Sequence, residues 1–266
     1  MNIAVCVKQV PDSWAEKKMV AGVLDRESAE AVLNDLDEYA VEEALRIVEA
    51  HGGNGDAGPH KITVISMGPS RATDAARKAL SMGADSAIVV TDGALAGSDA
   101  IATSRVLAKV ITDGNFDLVI CGTESTDARM SVVPAMIAQR LNWASLTFAG
   151  SLVVAPDTGD ISITRVTESG VDLIKAKLPA VVSVIEKINE PRYPSFKGIM
   201  AAKKKVMDVR DLASLSLDAN TVGIVGAWSV VEDAVARPAR SAGIKVVDEG
   251  NAGNALVEFL VEKKLI

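Results

Sequence analysis

The chain has 266 residues, 48% of them hydrophobic and 24% charged, with a formal net charge of -7 and a pI near 5.0. Length and composition predict a globular protein of one or two domains, and the acidic balance argues against a nucleic-acid binder, which needs a basic surface. No apolar run approaches the roughly 18 residues that span a bilayer, and Met1 leads into a strand without a basic leader. The sequence therefore predicts a cytoplasmic protein that does not insert into membranes.

The first 150 residues alternate short apolar runs with helical patterns. Strands are predicted at residues 3–10, 61–67, 87–90 and 118–120, and a fifth strand begins at 146–148. Between the strands, apolar residues recur at three- and four-residue steps, as in helices that pack on a sheet. We expect Asp35 and Glu38 to form a capping box for the first helix, and Ser98 to cap the third. This spacing predicts an α/β fold, a doubly wound parallel sheet with right-handed crossovers.

The strand at 118–120 ends at Gly122, which opens a polar loop that runs to Ser131. A helix is predicted to start just after it, near Val132 or Pro134. In open α/β sheets ligands bind beyond the carboxyl ends of the strands, and a helix N-terminus favours a phosphate. The loop matches neither GxGxxG nor GxxxxGK(S/T), so an ordinary strand-to-helix connection is an equally good interpretation.

Acidic residues near this edge of the sheet each allow two interpretations. Glu124 and Asp127 could act as a general acid and base, or they could simply be solvated in the loop. Asp35, Asp37 and Glu38 could contact a ribose, or they could complement the dipole at the start of the first helix. The sequence alone leaves both pairs of alternatives open.

The pattern changes after residue 160. Strands predicted at 161–165, 171–177 and 180–185 lie too close together for crossover helices, which suggests an antiparallel hairpin and a further strand. From Glu190 onward, two prolines and the lack of a core stripe predict an arm that leaves the globule and ends in a short helix. We therefore divide the chain into an α/β domain at 1–189 and an arm at 190–266.

Residues suited to catalysis are scarce in this sequence. His51 and His60 lie in one glycine-flanked loop, and the sequence contains no GxSxG, CxxC or HExxH motif. We therefore predict no catalytic residues and no metal site. Cys6 and Cys121 fall in or at the end of predicted buried strands and are expected to be free thiols. The basic run at 203–205 is expected to form a solvated face or to contact an acidic protein partner.

Six motifs occur in a characteristic order: VKQVPD, LNDLDEYAVEEALRI, ISMGP, CGTESTDAR, KLPAVVSV, and NEPRY followed by GIMAAKKK. Across nearly the whole chain they resemble the β subunit of electron transfer flavoprotein. The resemblance implies a Rossmann-like fold and a heterodimer in which the α subunit holds the redox FAD while the β subunit binds a structural AMP. It also implies that electrons arrive from acyl-CoA dehydrogenases and related flavoenzymes and pass to a membrane quinone oxidoreductase.

The resemblance also carries the family's site residues onto this sequence by position. The implied AMP contacts are Cys6, Asn34, Asp35, Leu36, Asp37, Met67, Gly122, Thr123, Glu124, Ser125, Thr126, Asp127, Ala128, Arg129, Met130, Ser131, Val132 and Val133. Arg165 matches an arginine that approaches the flavin side of the subunit interface. The implied partner-docking residues are Pro191, Arg192, Tyr193, Phe196, Ile199 and Met200. Phe196 stands where many relatives carry leucine, and from the sequence it is either a docking anchor or an internal staple.

The sequence departs from the family pattern at two places, in the loop at 127–131 and around Glu168, where Ser169 and Asp172 replace the usual residues. These changes bear on the nucleotide contacts more than on the fold. A relative of the bifurcating type would hold a second FAD in place of AMP. A stand-alone adenine-nucleotide-binding regulator would lack the long arm, and an ATP-dependent ligase or pyrophosphatase would need an SGG-type loop where VPDS stands.

Overall fold

A computed structural model describes residues 1–16, 18–20, 23–56, 58–235, 238, 240, 243, 245 and 247–266. The strands are β1 (Asn2–Cys6), β2 (Gln9–Pro11), β3 (Met19–Val20), β4 (Val23–Leu24), β5 (Ala31–Leu33), β6 (Lys61–Met67), β7 (Ser86–Val90), β8 (Leu118–Gly122), β9 (Ala144–Ala155), β10 (Asp160–Thr167), β11 (Gly170–Lys177), β12 (Ala180–Val184) and β13 (Met207–Arg210). The α-helices are α1 (Asp35–Ala50), α2 (Ala72–Met82), α3 (Ala100–Gly114), α4 (Val133–Leu141), α5 (Phe196–Ala202), α6 (Gly223–Gly226) and α7 (Ala252–Glu262).

Nine of the described strands form one sheet in the order β11-β10-β9-β12-β8-β1-β6-β7-β13. The strands from β9 to β13 in this order run parallel to one another, whereas β10 and β11 extend the sheet beyond β9 as an antiparallel hairpin. This arrangement confirms the predicted α/β class with an added hairpin. None of the described helices combines the length and apolarity needed to cross a bilayer.

Apolar side chains cover both faces of the parallel sheet. The whole of β8 is buried, as its unbroken apolar sequence predicted, because a central parallel strand has a helix layer on each side. On one face α1 packs through Val41, Leu45 and Val48, and α2 packs through four buried alanines. On the other face α3 and α4 pack through residues such as Val106 and Ile137. Small side chains on α2 let its backbone lie close to the strands.

Two predicted helix caps are corrected by the structure. The N-cap of α1 is Asn34, and Asp35 is already the first helical residue, so Asp35 and Glu38 form no capping box. The cap of α3 is Asp99, whose carboxylate accepts the Ala102 N–H at 2.8 Å, and not Ser98. In each case the residue next to the predicted one has the extended backbone that a cap requires.

The chain does not leave the globule at Glu190, so the prediction of an arm is wrong for the residues from 190 to 222. Helix α5 packs against α2, and β13 adds a parallel edge strand beside β7. Beyond it, Leu212, Leu215 and Val222 are buried. Residues 236, 237, 239, 241, 242, 244 and 246 of the predicted arm lie outside the described residues, and the division into two domains stays a prediction. The terminal helix is present as α7, in which Leu256, Val257, Phe259 and Val261 are exposed.

Candidate functional site

The carboxyl ends of β1 and β8 form the point at which the strand order reverses. The chain moves outward from β1 to β6 and β7, and then returns to β8 on the other side of β1. Cys6 of β1 lies level with Cys121 of β8 in the register of the two strands. A crevice at such a reversal is where open α/β sheets bind ligands. The start of α1, the loop after β8 and the start of α4 all converge on this edge.

Asn34 ties the start of α1 to the loop after β8. Its side chain is fully buried. The Nδ2 group donates to the Glu124 carbonyl at 2.9 Å, and Oδ1 accepts the Thr126 N–H at 3.0 Å. The N-cap side chain of α1 is therefore used to shape the loop and makes no cap hydrogen bond within its own helix.

Gly122 and Asp37 meet where β8 approaches the first turn of α1. A Cβ at Gly122 would lie 2.5 Å from Asp37 Oδ1 and 2.8 Å from the Leu36 backbone, so a larger residue does not fit there. The other oxygen, Oδ2, accepts the Lys8 backbone N–H at 2.8 Å. Burial raises the pKa of Asp37 to about 7, against the opposing effect of hydrogen bonds from Asn34, Lys8 and Gly122.

Asp127 is the most tightly held acid of the loop. Lys8 Nζ lies 2.8 Å from Oδ1, Arg26 Nε lies 2.9 Å from Oδ2, and the Asp127 side chain is 1% exposed. Burial alone would raise the pKa of Asp127, but the charge of Lys8 and hydrogen bonds from Lys8, Ser125 and Arg26 hold it below its usual value. An ionised and doubly paired carboxylate is poorly suited to general base or acid work near neutral pH. The interpretation of Asp127 as a solvated loop residue is wrong, because its side chain is buried and paired with Lys8 and Arg26.

The end of the loop leads into α4 with an unusual backbone. Arg129 and Ser131 have φ values of 51° and 56°, in the left-handed region. Ser131 Oγ donates to Glu124 Oε2 at 2.8 Å, which closes the loop on itself. Helix α4 begins at Val133, as predicted, and within the described part of the chain no side chain caps its first turn. N–H groups at an uncapped helix start can bind a phosphate.

The remaining residues of the implied nucleotide site lie around this cluster. Cys6 and Met67 end β1 and β6, and Asp35 and Leu36 begin α1. Thr123 Oγ1 donates to the Val184 carbonyl at 2.6 Å, which fixes the loop to β12. Ser125 and Thr126 take part in the hydrogen bonds described above, and the remaining loop residues are Ala128, Met130 and Val132. Ala128 and Met130 are exposed, Met130 at 58%. The structure thus gathers the predicted nucleotide residues at one edge of the sheet.

Two basic residues of this cluster were missed from the sequence. Lys8 and Arg26 both bind Asp127, although they lie more than a hundred residues before it in the chain. The predicted first strand ran from residue 3 to 10, but β1 ends at Cys6 and Lys8 lies two residues beyond it. The overlong strand hid the position of Lys8 at the carboxyl edge. Arg26 belongs to an irregular segment between β4 and β5, and the sequence offers no pattern that links it to the loop.

Arg165 does not join this cluster. It lies in β10, where Nε donates to the Thr147 carbonyl at 2.8 Å and Nη2 lies 3.2 Å from Thr147 Oγ1. Its neighbours on the adjacent strands are Ala149 of β9 and Asp172 of β11. Its guanidinium therefore braces the antiparallel extension of the sheet.

The predicted docking residues lie on another surface, next to α1 and α2. Arg192 binds Glu42 and Glu49 of α1. The other members are partly or wholly exposed, namely Pro191, Tyr193, Phe196, Ile199 and Met200. Phe196 is 81% exposed, so the interpretation of this ring as an internal staple is wrong.

Comparison with known proteins shows which family of sequences this chain is similar to. A model described as the electron transfer flavoprotein domain matches residues 21–215. The chain is 49% identical over its full length to the electron transfer flavoprotein subunit beta of Mycobacterium leprae, 99% of which is covered. It is 36% identical to the subunit of the same name from Thermoanaerobacterium thermosaccharolyticum, with both chains covered in full. It is also 35% identical to Protein FixA of Azotobacter vinelandii, over 93% of this chain and 88% of that protein.

Proposed function

Because this chain belongs to the electron transfer flavoprotein β-subunit family, we propose that it is the AMP-binding subunit of a cytoplasmic electron carrier. Its α subunit holds the redox FAD. The heterodimer accepts electrons from acyl-CoA dehydrogenases and related flavoprotein dehydrogenases and delivers them to a membrane quinone oxidoreductase. The β subunit contributes binding and positioning, since the flavin supplies the redox chemistry.

The observation that carries this proposal is the closed polar loop at the strand reversal. Asn34, Lys8 and Arg26 hold the loop in place, and it ends at the uncapped start of α4. Such a site suits one phosphate and an adenosine. The bulky side chains of Arg129 and Met130 favour AMP over a second FAD, whose isoalloxazine would need more room.

The docking surface supports the part of the proposal that concerns partner enzymes. Phe196, Ile199 and Met200 present apolar side chains to solvent from a short helix. Apolar residues at these spacings lie on one side of a helix and suit a hydrophobic pocket in a partner. Arg192 at the start of this surface binds Glu49 in the last turn of α1, whereas the nucleotide loop is bonded to Asn34 at the start of α1. The two contacts therefore use opposite ends of one helix, which leaves the docking surface free for a dehydrogenase.

The test is to identify the nucleotides of the purified αβ heterodimer. Mass spectrometry after denaturation should detect one AMP and one FAD per heterodimer, and the visible spectrum should show flavin only when both subunits are present. Two FAD molecules per heterodimer would indicate the bifurcating type. An adenine nucleotide on a chain that never acquires flavin with its α subunit would indicate a stand-alone regulator.

A further inference from the structure

The segment that carries the docking residues is held against the body of the protein on its inner side. Gly198 lies so close to α2 that an added Cβ would be 2.5 Å from the Ser81 carbonyl oxygen. Ala202, at the end of α5, is buried. Ser195 caps α5, since its Oγ accepts the Gly198 N–H at 3.1 Å. The inner side of the helix is therefore fixed by contacts that leave the apolar outer side exposed.

Arg192 anchors the start of this segment on α1. Its Nε and Nη2 groups donate to Glu42 at 2.8 and 3.0 Å, and its Nη1 and Nη2 groups donate to Glu49 at 2.6 and 3.0 Å. The Arg192 backbone N–H also donates to Glu42 at 3.1 Å. Glu42 is buried, so this pair is shielded from solvent more than an ordinary surface ion pair. The neighbouring Tyr193 is almost fully exposed, which places the anchor directly beside the docking residues.

Two further cations hold the end of the segment against α2. One belongs to α2 and caps the C-terminus of α5, and the other follows α5 and caps the C-terminus of α2. Arg77 of α2 donates to the Ala202 carbonyl at 2.6 Å, at the C-terminus of α5. Lys205, just after α5, donates to the Leu80 and Ala84 carbonyls at 3.1 and 2.6 Å, at the C-terminus of α2. Cations are favourable at helix C-termini, where carbonyls lack intrahelical donors. The predicted solvated or partner-binding role of the basic run at 203–205 is thus wrong for Lys205.

We infer that Arg192, Arg77 and Lys205 are positioning residues that hold residues 193–202 as a preformed docking element. The inference rests on the proposed function, because it concerns how that function's docking surface is presented. A segment that is already ordered loses less conformational entropy on binding than a mobile one. Lysine cannot replace Arg192, since the planar guanidinium alone can bind both carboxylates at once.

The test uses the αβ heterodimer and an acyl-CoA dehydrogenase reduced with its acyl-CoA substrate. Arg192→Gln and Arg77→Gln remove one anchor each. Arg210→Gln serves as the matched control, because among the described residues the Arg210 side chain makes only a local ion pair with Asp208. For each anchor variant we expect KM for the heterodimer to rise about tenfold with kcat unchanged, since 1.4 kcal/mol corresponds to tenfold in affinity. Amide exchange should speed up at 193–202, and flavin and AMP contents should stay at wild-type levels.

The outcomes distinguish failure of the positioning role from failure of the proposed docking function. A raised KM with faster exchange at 193–202 in either anchor variant supports the inference, and Arg77→Gln supplies the result if Arg192→Gln does not fold. Wild-type KM in both anchor variants, in an assay where Phe196→Ala raises KM, would overturn the positioning role alone. If Phe196→Ala also leaves KM unchanged, the docking surface itself is wrong. A lowered kcat at unchanged KM would equally overturn the inference.

Discussion

Replacing Asn34 by alanine is the most direct perturbation of the candidate nucleotide site. The change removes the hydrogen bonds to the Glu124 carbonyl and from the Thr126 N–H of the loop, and also the side-chain hydrogen bond to Asp37. Each of the two loop backbone groups left unsatisfied costs about 1 to 3 kcal/mol, so a site without water would lose about 2 to 6 kcal/mol from these two groups. Glu124 and Thr126 are only half-buried, and water can replace part of the loss. We therefore expect a cost of about 2 to 3 kcal/mol.

This cost should appear both in nucleotide retention and in melting. If all of it falls on loop ordering, AMP binds about 30- to 150-fold more weakly. If it falls on folding, the melting temperature drops by about 4 to 12 °C for a chain of this size. The assay is the AMP content of the purified heterodimer beside a melting curve with and without added AMP. Asn220→Ala is the control, because Asn220 is exposed and, among the described residues, its side chain bonds only to the nearby Asp218. Equal effects of the two substitutions would refute the reasoning.

The other predictions concern flavin, phosphate, pH and docking. The isolated chain should be colourless, and stoichiometric flavin on it would contradict the assignment of FAD to the α subunit. Ser131→Glu should lower the AMP content and the melting temperature of the heterodimer together. A carboxylate at the start of α4 repels the phosphate, and a ligand that binds only the folded state stabilises that state. Wild-type AMP content and melting temperature in this variant would contradict the proposed site. Since burial raises the pKa of Asp37 from 3.8 to about 7, the folded chain keeps a proton there that the unfolded chain releases. That contribution to stability is complete below pH 3.8 and is lost as the pH rises through 7, so wild type should lose melting temperature relative to Asp37→Asn across this window, and parallel curves would rule the effect out. Phe196→Ala should weaken docking to a reduced dehydrogenase by about tenfold to a hundredfold, because burying such an anchor contributes about 1.5 to 3 kcal/mol. Phe196→Leu should retain most of the transfer rate. A large fall in the melting temperature of the alanine variant would argue against a docking role.

The parallel core of the fold could be predicted because its sequence signals are local. The unbroken apolar run of β8 and the three- and four-residue steps of α1 each report burial within one element. The start of α4 was predictable for the same reason, since Pro134 suits the first turn of a helix. These elements also set the carboxyl edge, so the place of the candidate site followed from the order of strands and helices.

The parts that could not be predicted depend on contacts between distant segments. Strand β13 has only four residues with little burial, and nothing in its sequence shows that it pairs with β7. The insertion of β12 between β8 and β9 likewise follows from long-range pairing. The ion pairs of Asp127 join residues 119 and 101 positions apart. Charge alone could not distinguish a paired carboxylate from a solvated one.

Helix α1 is shared by the two functional surfaces, and its packing determines how they can influence each other. Its start holds the nucleotide loop through Asn34, whereas Glu42 and Glu49 further along hold Arg192. From Asn34 to Glu49 the helix rises about 22 Å. Between these points Val41 and Leu45 are buried against the sheet, so a shift of one end would have to displace a packed core. The geometry therefore favours a nucleotide that stabilises the fold over one that switches docking, because the element joining the two surfaces is held in one position.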